Sequence, residues 1–539
     1  MSLDRHQTLL EFRGARCNFS APMQLRFLLA AALALLSGPI NAAPNEQGKA
    51  EHVVLVVWDG MRPDLVTPQH APTLAALTRE GVFFRNHHAI FPSSTNVNGA
   101  GLATGVSPEH NGVISNQEFR PEVDLHKPFD TSDFTALDFN DQLNKHLIAV
   151  PTIAELVQQA GFRTAIAGAK PVAQFFDRSR HRETTAARES LVLYRGKVLP
   201  PSAATLITAA LGPFPKRKWF PNEEEDGWTT RVLTEVLWKE SIPKFSLLWL
   251  SEPDLSQHET APGSPTSLAA IKSSDDNLAK VLAALKAKNA LTNTDILIVS
   301  DHGFSTIDLA LDAAGRLRAA GFDAVRKFPS EAKSGQVLVV SLGGSMEFYV
   351  AGHDAGTVRR LVDYLQHSDF AGVIVTRVPE EGAFNLAQFC METPEAPDVF
   401  VSSRWNDRPN EFGIRGLVPS DLGKGLGQGT HTTLSPFDLH NTLVASGLDF
   451  RRGWNDETPS GNIDIAPTIL HLLGLKPPQP LDGRILREAL RNSPNESPVA
   501  REQTLHARRE DWAQYLRLTT VDGSRYFLEG NGGRVATGP

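Results

Sequence analysis

Six side chains able to bind a metal ion stand in short sequence contexts: Asp59 in WDG, Asp254 and His258 in EPDLSQH, Asp301 and His302 in SDHG, and His431 in GTHT. Three carboxylates and three imidazoles suffice for two four-coordinate sites if one hydroxyl ligand and exchangeable oxygens complete the shells. Mixed nitrogen and oxygen ligation favours zinc over magnesium or calcium, with manganese and iron also compatible. Two such ions would clamp the attacking and leaving oxygens of an in-line displacement at phosphorus. That chemistry needs a nucleophile, and FPSSTN offers Ser93, Ser94 and Thr95 ahead of a small-residue helix beginning near Asn96. A hydroxyl at a helix N-terminus sits among exposed backbone N–H groups that favour an incoming phosphoryl group. Metal coordination would activate a threonine there. By composition alone the same three hydroxyls read as caps for the helix.

Elements able to bring these residues together can be read from the apolar patterning. HVVLVVW stops at Asp59, FSLLWLSEP at Asp254, and DILIVS at Asp301. Continuous Val, Ile, Leu and Phe runs of this length suit strands covered on both faces, as in a parallel sheet. Between them PTLAALTREG, PTIAELVQQAG and DDNLAKVLAALKAK carry apolar residues at three- and four-residue spacing, which predicts helices. Strand and helix alternation makes the fold α/β, with helices on both faces of a mostly parallel central sheet. Ligands of open α/β sheets bind beyond the carboxyl ends of the strands, where all three acidic stops would lie.

The expected organisation is a signal peptide with an upstream extension over residues 1–43 and a first part of the core over 44–307. An inserted cap follows over 308–425, where the strand-to-acid pattern lapses, and then a second part of the core over 426–480. A peripheral C-terminal segment over 481–539 includes a hairpin turning at Asp522 and Gly523. Leu28–Leu36, following Arg26 and ending in small residues around Ala42 and Ala43, reads as a secretory signal, with Met23 as the expected start. Its apolar core is shorter than the ~20 residues of a membrane span. Export to the periplasm or the medium follows. After cleavage Cys390 would be the sole cysteine, leaving no intramolecular disulfide.

The 539 residues, 41% apolar and 21% charged, exclude a small stapled module and a polytopic membrane protein. The net charge of -8 argues against nucleic acid polymers as partners.

Asp59-Gly60, FPSSTNVN through TGVSPEHNGVISN, EPDLSQH, SDHG, GTHT and IDIAPTILHLLGL occur in an order that resembles the nucleotide pyrophosphatase/phosphodiesterase family of the alkaline phosphatase superfamily. The likeness covers about residues 52–116, 245–305 and 427–475. It implies an alkaline-phosphatase-like core and a hydrolase of small phosphate diesters with two zinc ions, without excluding other divalent metals. It implies Thr95 as nucleophile through a covalent phosphothreonine, with one metal held by Asp59, Thr95, Asp301 and His302 and the other by Asp254, His258 and His431. Asn116 would donate to a nonbridging phosphoryl oxygen. Trp249 stands at the position of a base-stacking aromatic, although a core role suits it equally. Asn96 replaces the usual Phe after the nucleophile, Gln257 the usual Gly before His258, and Thr432 the Gly after His431, so the ester remains open. A phosphomonoesterase or phosphonate hydrolase on the same scaffold is the alternative enzyme, and a non-catalytic exported binding protein the alternative class. PSSTN lacks the spacing and arginine of a sulfatase block.

Overall fold

The strand His52–Trp58 forms because its Val-rich run favours extended backbone and can be buried from Val53 to Trp58. Its two sets of alternate side chains enter two different cores. Val53, Leu55 and Val57 pack with Val97, Ile153 and Ile469 on one face, while Val54, Val56 and Trp58 pack with Leu74, Ile271 and Leu278 on the other. The computed structural model that shows this describes residues 48–142, 147–178, 182–493 and 497–535. The expected signal segment lies outside them.

The central sheet has nine strands in the order Trp454–Asp456, Val82–Phe84, Leu443–Ser446, Thr294–Val299, His52–Trp58, Phe245–Leu250, Thr164–Gly168, Leu191–Tyr194 and Lys197–Leu199. His52–Trp58 pairs in parallel with Thr294–Val299 and Phe245–Leu250, and the parallel block continues through Thr164–Gly168 to Leu191–Tyr194. Antiparallel partners flank it. The fold is therefore α/β with a mostly parallel central sheet and helices on both faces. Three of those helices show their stop and start signals plainly. Pro72–Glu80 carries Pro at its start and ends at Gly81. Ile153–Gln159 is closed by a Thr152/Glu155 capping box. Pro265–Ala287 is capped by the Ser264 side chain, and its Asp275 accepts from Thr73 and Leu74 N–H at 3.0 and 2.9 Å, which ties the two helices together.

Two further sheets follow the last core strand before residue 300. Ser305–Leu311 pairs in parallel with Arg415–Asp421 and antiparallel with Gly429–Thr430, in a four-stranded sheet completed by Asn406–Pro409. A six-stranded sheet is built wholly from strands between Ala324 and Ser403 and carries the amphipathic helix Ala355–Gln366. Ala500–Arg509, Trp512–Val521 and Ser524–Arg534 form an antiparallel sheet, turning at Asp522 (φ 50°) and Gly523 (φ 93°). It buries Leu516, Leu518 and Phe527 against Phe91, Val373 and Phe400. Among the described residues no helix is long and apolar enough to cross a membrane.

The six-stranded sheet meets the core at a buried polar cluster. Glu347, on Ser345–Val350, and Glu118, on the core loop, are both fully buried. Tyr349 Oη donates to Glu347 Oε2 at 3.0 Å, and Arg120 grips Glu118 Oε2 at 2.7–2.8 Å. Burial, with the Glu118 carboxylate behind it, pushes the Glu347 carboxyl from its ordinary 4.5 up to about 8, against the opposing pull of the Ser115 and Tyr349 hydroxyls. Between those values the unfolded chain has released a proton that the folded chain retains, so stability from this group is complete below pH 4.5 and is lost as the pH climbs through 8. Glu347→Gln carries no such proton. Thermal melts should show the Gln variant gaining on the wild type steadily from pH 5 to pH 8, whereas parallel pH profiles would refute the assignment.

Candidate metal centre

All three acidic stops arrive at one edge of the central sheet because their strands are neighbours in register. Asp59 follows Trp58 directly, and its carbonyl accepts from Asp254 N–H at 2.9 Å, which joins the ends of His52–Trp58 and Phe245–Leu250. Gly60 makes the close turn possible. Its φ is 76°, and a Cβ there would lie 3.1 Å from Asp254 Cα and Cβ. Gly60 N–H donates to Asp301 Oδ1 at 3.0 Å, binding the third strand end to the first.

Asp254 opens the helix Asp254–Thr260, and His258 lies one turn on. The four-residue spacing puts both on one face, with His258 Nε2 3.3 Å from Asp254 Oδ1. His431 comes from far away in sequence. The antiparallel pairing of Ser305 with Thr430 delivers it beside His302, and the two imidazoles stack with ring centres 3.7 Å apart.

Each imidazole is held in one tautomer. His302 Nδ1 meets Gly303 O at 2.9 Å, His431 Nδ1 meets Ser93 O at 2.8 Å, and His258 Nδ1 meets Gly429 O at 3.0 Å. A carbonyl can only accept, so each Nδ1 carries a proton and Nε2 is the nitrogen each ring turns inward. Burial lowers the pKa of His302 and drives that of His431 well below its ordinary value, the latter helped by His302 and His258.

The carboxylates have the complementary problem. Asp59 Oδ1, Asp254 Oδ1 and Asp301 Oδ2 are buried without a hydrogen-bond partner, and these are the oxygens turned toward the histidines. His302 Nε2 lies 3.6 Å from Asp59 Oδ1 and 3.4 Å from Asp301 Oδ2, and His431 Nε2 lies 3.7 Å from Asp254 Oδ1. Burial and the Asp301 charge raise the Asp59 pKa well above the usual range, and burial takes Asp301 up to about 7. Burial would also raise Asp254, but Lys170 and His258 overcome it and hold that carboxyl well below the usual range. Unpartnered carboxylate oxygens facing imidazole lone pairs are a donor set without donors, which a divalent cation satisfies. The donors group as Asp59, Asp301 and His302, and as Asp254, His302 and His431, with His258 beside Asp254.

Thr95 begins the helix Thr95–Thr104, one residue before the expected start. Its Oγ1 lies 3.2 Å from His302 Nε2, to whose lone pair it donates. The capping alternative is not what these hydroxyls do. Ser93 donates to Thr433 O at 3.0 Å, and Ser94 makes no side-chain cap bond. Asn116 Oδ1 accepts from Asn96 N–H at 2.8 Å, so Nδ2 is the end of that amide left to donate outward. Asn96 itself is turned away to Asp130 and Thr131.

Trp249 corrects one expectation. It is 0% exposed, packs edge-on against Phe176, and its indole N–H donates to Asp59 Oδ2 at 2.8 Å. No face of the ring is open to stack on a base; the residue anchors a carboxylate.

Lys170 escaped the sequence reading. Its Nζ lies 2.9 Å from Asp59 Oδ2 and 2.7 Å from Asp254 Oδ2, binding the outward oxygens and leaving the inward pair free. The signal available was a fourth apolar run, Thr164–Gly168, ending near a base instead of an acid. Asn462 is a second omission, donating to both Asp301 O and Asn98 Oδ1 and so linking the Thr95 helix to the Asp301 turn.

Residues 53–406 match the pattern of the type I phosphodiesterase / nucleotide pyrophosphatase family. The chain is 21% identical over 445 residues to the bis(5'-adenosyl)-triphosphatase enpp4 of Mus musculus, a match covering 80% of each. It is 26% identical over 284 residues to human ectonucleotide pyrophosphatase/phosphodiesterase family member 7, covering 52% of this chain and 54% of that one. Among solved structures, murine ectonucleotide pyrophosphatase/phosphodiesterase 5, in an inactive form in complex with AMP, superposes with a TM-score of 0.56 at 17% identity, covering 82% of this chain and 100% of that one.

Two buried carboxylates, Asp59 and Asp254, share the Lys170 ammonium, and removing it leaves charge uncompensated at a cost of about 3–5 kcal/mol. Lys170→Met should lower the unfolding free energy of the chelator-treated protein by that amount, read as a lower denaturant midpoint at unchanged slope, and added zinc should recover most of the loss. An unchanged midpoint without metal would show that the amine is not their counter-ion.

Proposed function

The chain belongs to the type I phosphodiesterase / nucleotide pyrophosphatase family, and from that premise we propose that it is an exported hydrolase of small phosphate diesters that works through a phosphothreonine on Thr95 with two zinc ions. The observation that carries the proposal is the set of three buried, partnerless carboxylate oxygens beside a threonine hydroxyl that donates to His302.

Asp59, Thr95, Asp301 and His302 would hold one ion, and Asp254, His258 and His431 the other. Bound there, the ions supply Lewis acidity that lowers the Thr95 pKa and balances charge on the phosphoryl and leaving oxygens. The remaining steps belong to the chain. The Thr95 hydroxyl gives up its proton to solvent, and Oγ1 attacks phosphorus from the N-terminus of its helix. The bond from phosphorus to the leaving oxygen breaks as the new ester forms, and the departing alkoxide takes a proton from solvent to leave as the alcohol. Asn116 Nδ2 donates to a nonbridging oxygen, and a donor so placed contributes ~2.7–4 kcal/mol to such a transition state. Water then cleaves the threonine ester, releasing a phosphomonoester and restoring the hydroxyl. Lys170 and Trp249 hold the outward oxygens of Asp59 and Asp254 so that their inward oxygens keep their aim.

The names of the relatives point to nucleotides, but Asn96 is committed to Asp130 and Thr131 and Trp249 is buried. Neither offers an aromatic face, so the substrate is proposed only as a diester. Thr95→Ala should lower turnover of bis-p-nitrophenyl phosphate by at least ~10³-fold, the scale of losing a covalent nucleophile. Chelation should abolish the wild-type rate and zinc restore it. Wild-type turnover in the Ala variant would eliminate Thr95 as the attacking group.

A further inference from the structure

The loop from Gly112 to Arg120 carries Asn116 and is gripped from two sides. The core holds one side. Thr131 N–H donates to Asn116 O at 3.0 Å, and Thr131 Oγ1 to Ser115 O at 2.8 Å. Within the loop, Glu118 Oε1 accepts from Ile114 and Ser115 N–H at 2.8 and 3.3 Å, and Arg120 ties Glu118 to Gly112 O. The other side is held by the six-stranded sheet. Tyr349 Oη accepts from Phe119 N–H at 3.4 Å and donates to Glu347 Oε2 at 3.0 Å. The Phe119 ring packs edge-on against Tyr349 and Phe328, with centres 5.6 and 5.5 Å away.

Glu347 is fully buried and its Oε1 has no hydrogen-bond partner. A buried acid with an unpaired oxygen is a costly way to fill a sheet interface. Its Oε2 nevertheless orients the Tyr349 hydroxyl, which reaches across to the loop. Nothing in the binding of metal or the attack of Thr95 uses these groups.

We propose that the sheet built from residues 324–403 positions Asn116, through a Glu347–Tyr349 pair that fixes the Gly112–Arg120 loop at Phe119. The inference rests on the assignment of Asn116 to a phosphoryl oxygen. Tyr349 and Glu347 are positioning residues, since neither touches the reacting atoms. They make the inserted sheet part of the catalytic geometry and more than a cover.

A double-mutant cycle on the full-length, zinc-loaded protein with bis-p-nitrophenyl phosphate tests this. Tyr349→Phe keeps the ring and removes the hydroxyl. It should lower kcat ten- to a hundred-fold, the order expected of a slightly misplaced group, with KM within about twofold and metal content unchanged. In an Asn116→Ala background the same change should cost less than about twofold. Glu347→Gln, which keeps an accepting carbonyl for Tyr349, should retain wild-type kcat at pH 7, and Glu347→Leu should lose as much as Tyr349→Phe. Wild-type kcat in Tyr349→Phe, or an equal loss in both backgrounds, overturns the proposal while leaving the role of Asn116 intact. Full turnover in Asn116→Ala removes the underlying reading and this one with it.

Discussion

Three carboxylates drawn out of water to one sheet edge set the terms for everything around them. Taking a single carboxylate into a protein interior costs several kcal/mol, and two like charges 4 Å apart repel by about 4 kcal/mol at an effective dielectric of 20. Asp59, Asp254 and Asp301 are each 2% exposed or less. One ammonium, Lys170, lies within 2.9 Å of two of them and balances only part of that charge. The raised pKa values of Asp59 and Asp301 express the remainder. A fold that gathers such groups and also pins three imidazoles with their Nε2 atoms inward presents a set of groups suited to binding metal.

The architecture gathers them in two ways. Parallel neighbours in one sheet end at the same height, so the acids after His52–Trp58, Phe245–Leu250 and Thr294–Val299 arrive together. The histidines arrive by local devices: a single helical turn for His258, the residue after Asp301 for His302, and the Ser305–Thr430 pairing for His431. Each is then locked by a backbone carbonyl. The positions of Thr95 and Asn116 are coupled, because the N–H following Thr95 binds the Asn116 side chain.

How far the sequence spoke depended on the range of the physics. Strand runs ending at acids and the i, i+4 relation of Asp254 and His258 are local signals, and they were readable. The turn at Asp522 and Gly523 was equally local. Long-range partners were not. Nothing near Lys170 announces that its amine bridges residues 59 and 254, because that contact depends on Thr164–Gly168 lying beside Phe245–Leu250. Trp249 illustrates the opposite failure. An aromatic at a strand end can face a ligand or a core, and only the packing of Phe176 and the acceptor on Asp59 decide between them. The contact of Tyr349 with the Asn116 loop joins positions 230 residues apart and left no trace in either segment.

The central claim is that the donors around Thr95 form two adjoining cation sites. Anomalous diffraction at the zinc edge, from crystals of the full-length protein grown with zinc, tests it most directly. The account predicts two peaks per chain, one against Asp59, Thr95, Asp301 and His302 and the other against Asp254, His258 and His431. A single peak, or peaks remote from the Thr95 hydroxyl, would contradict it.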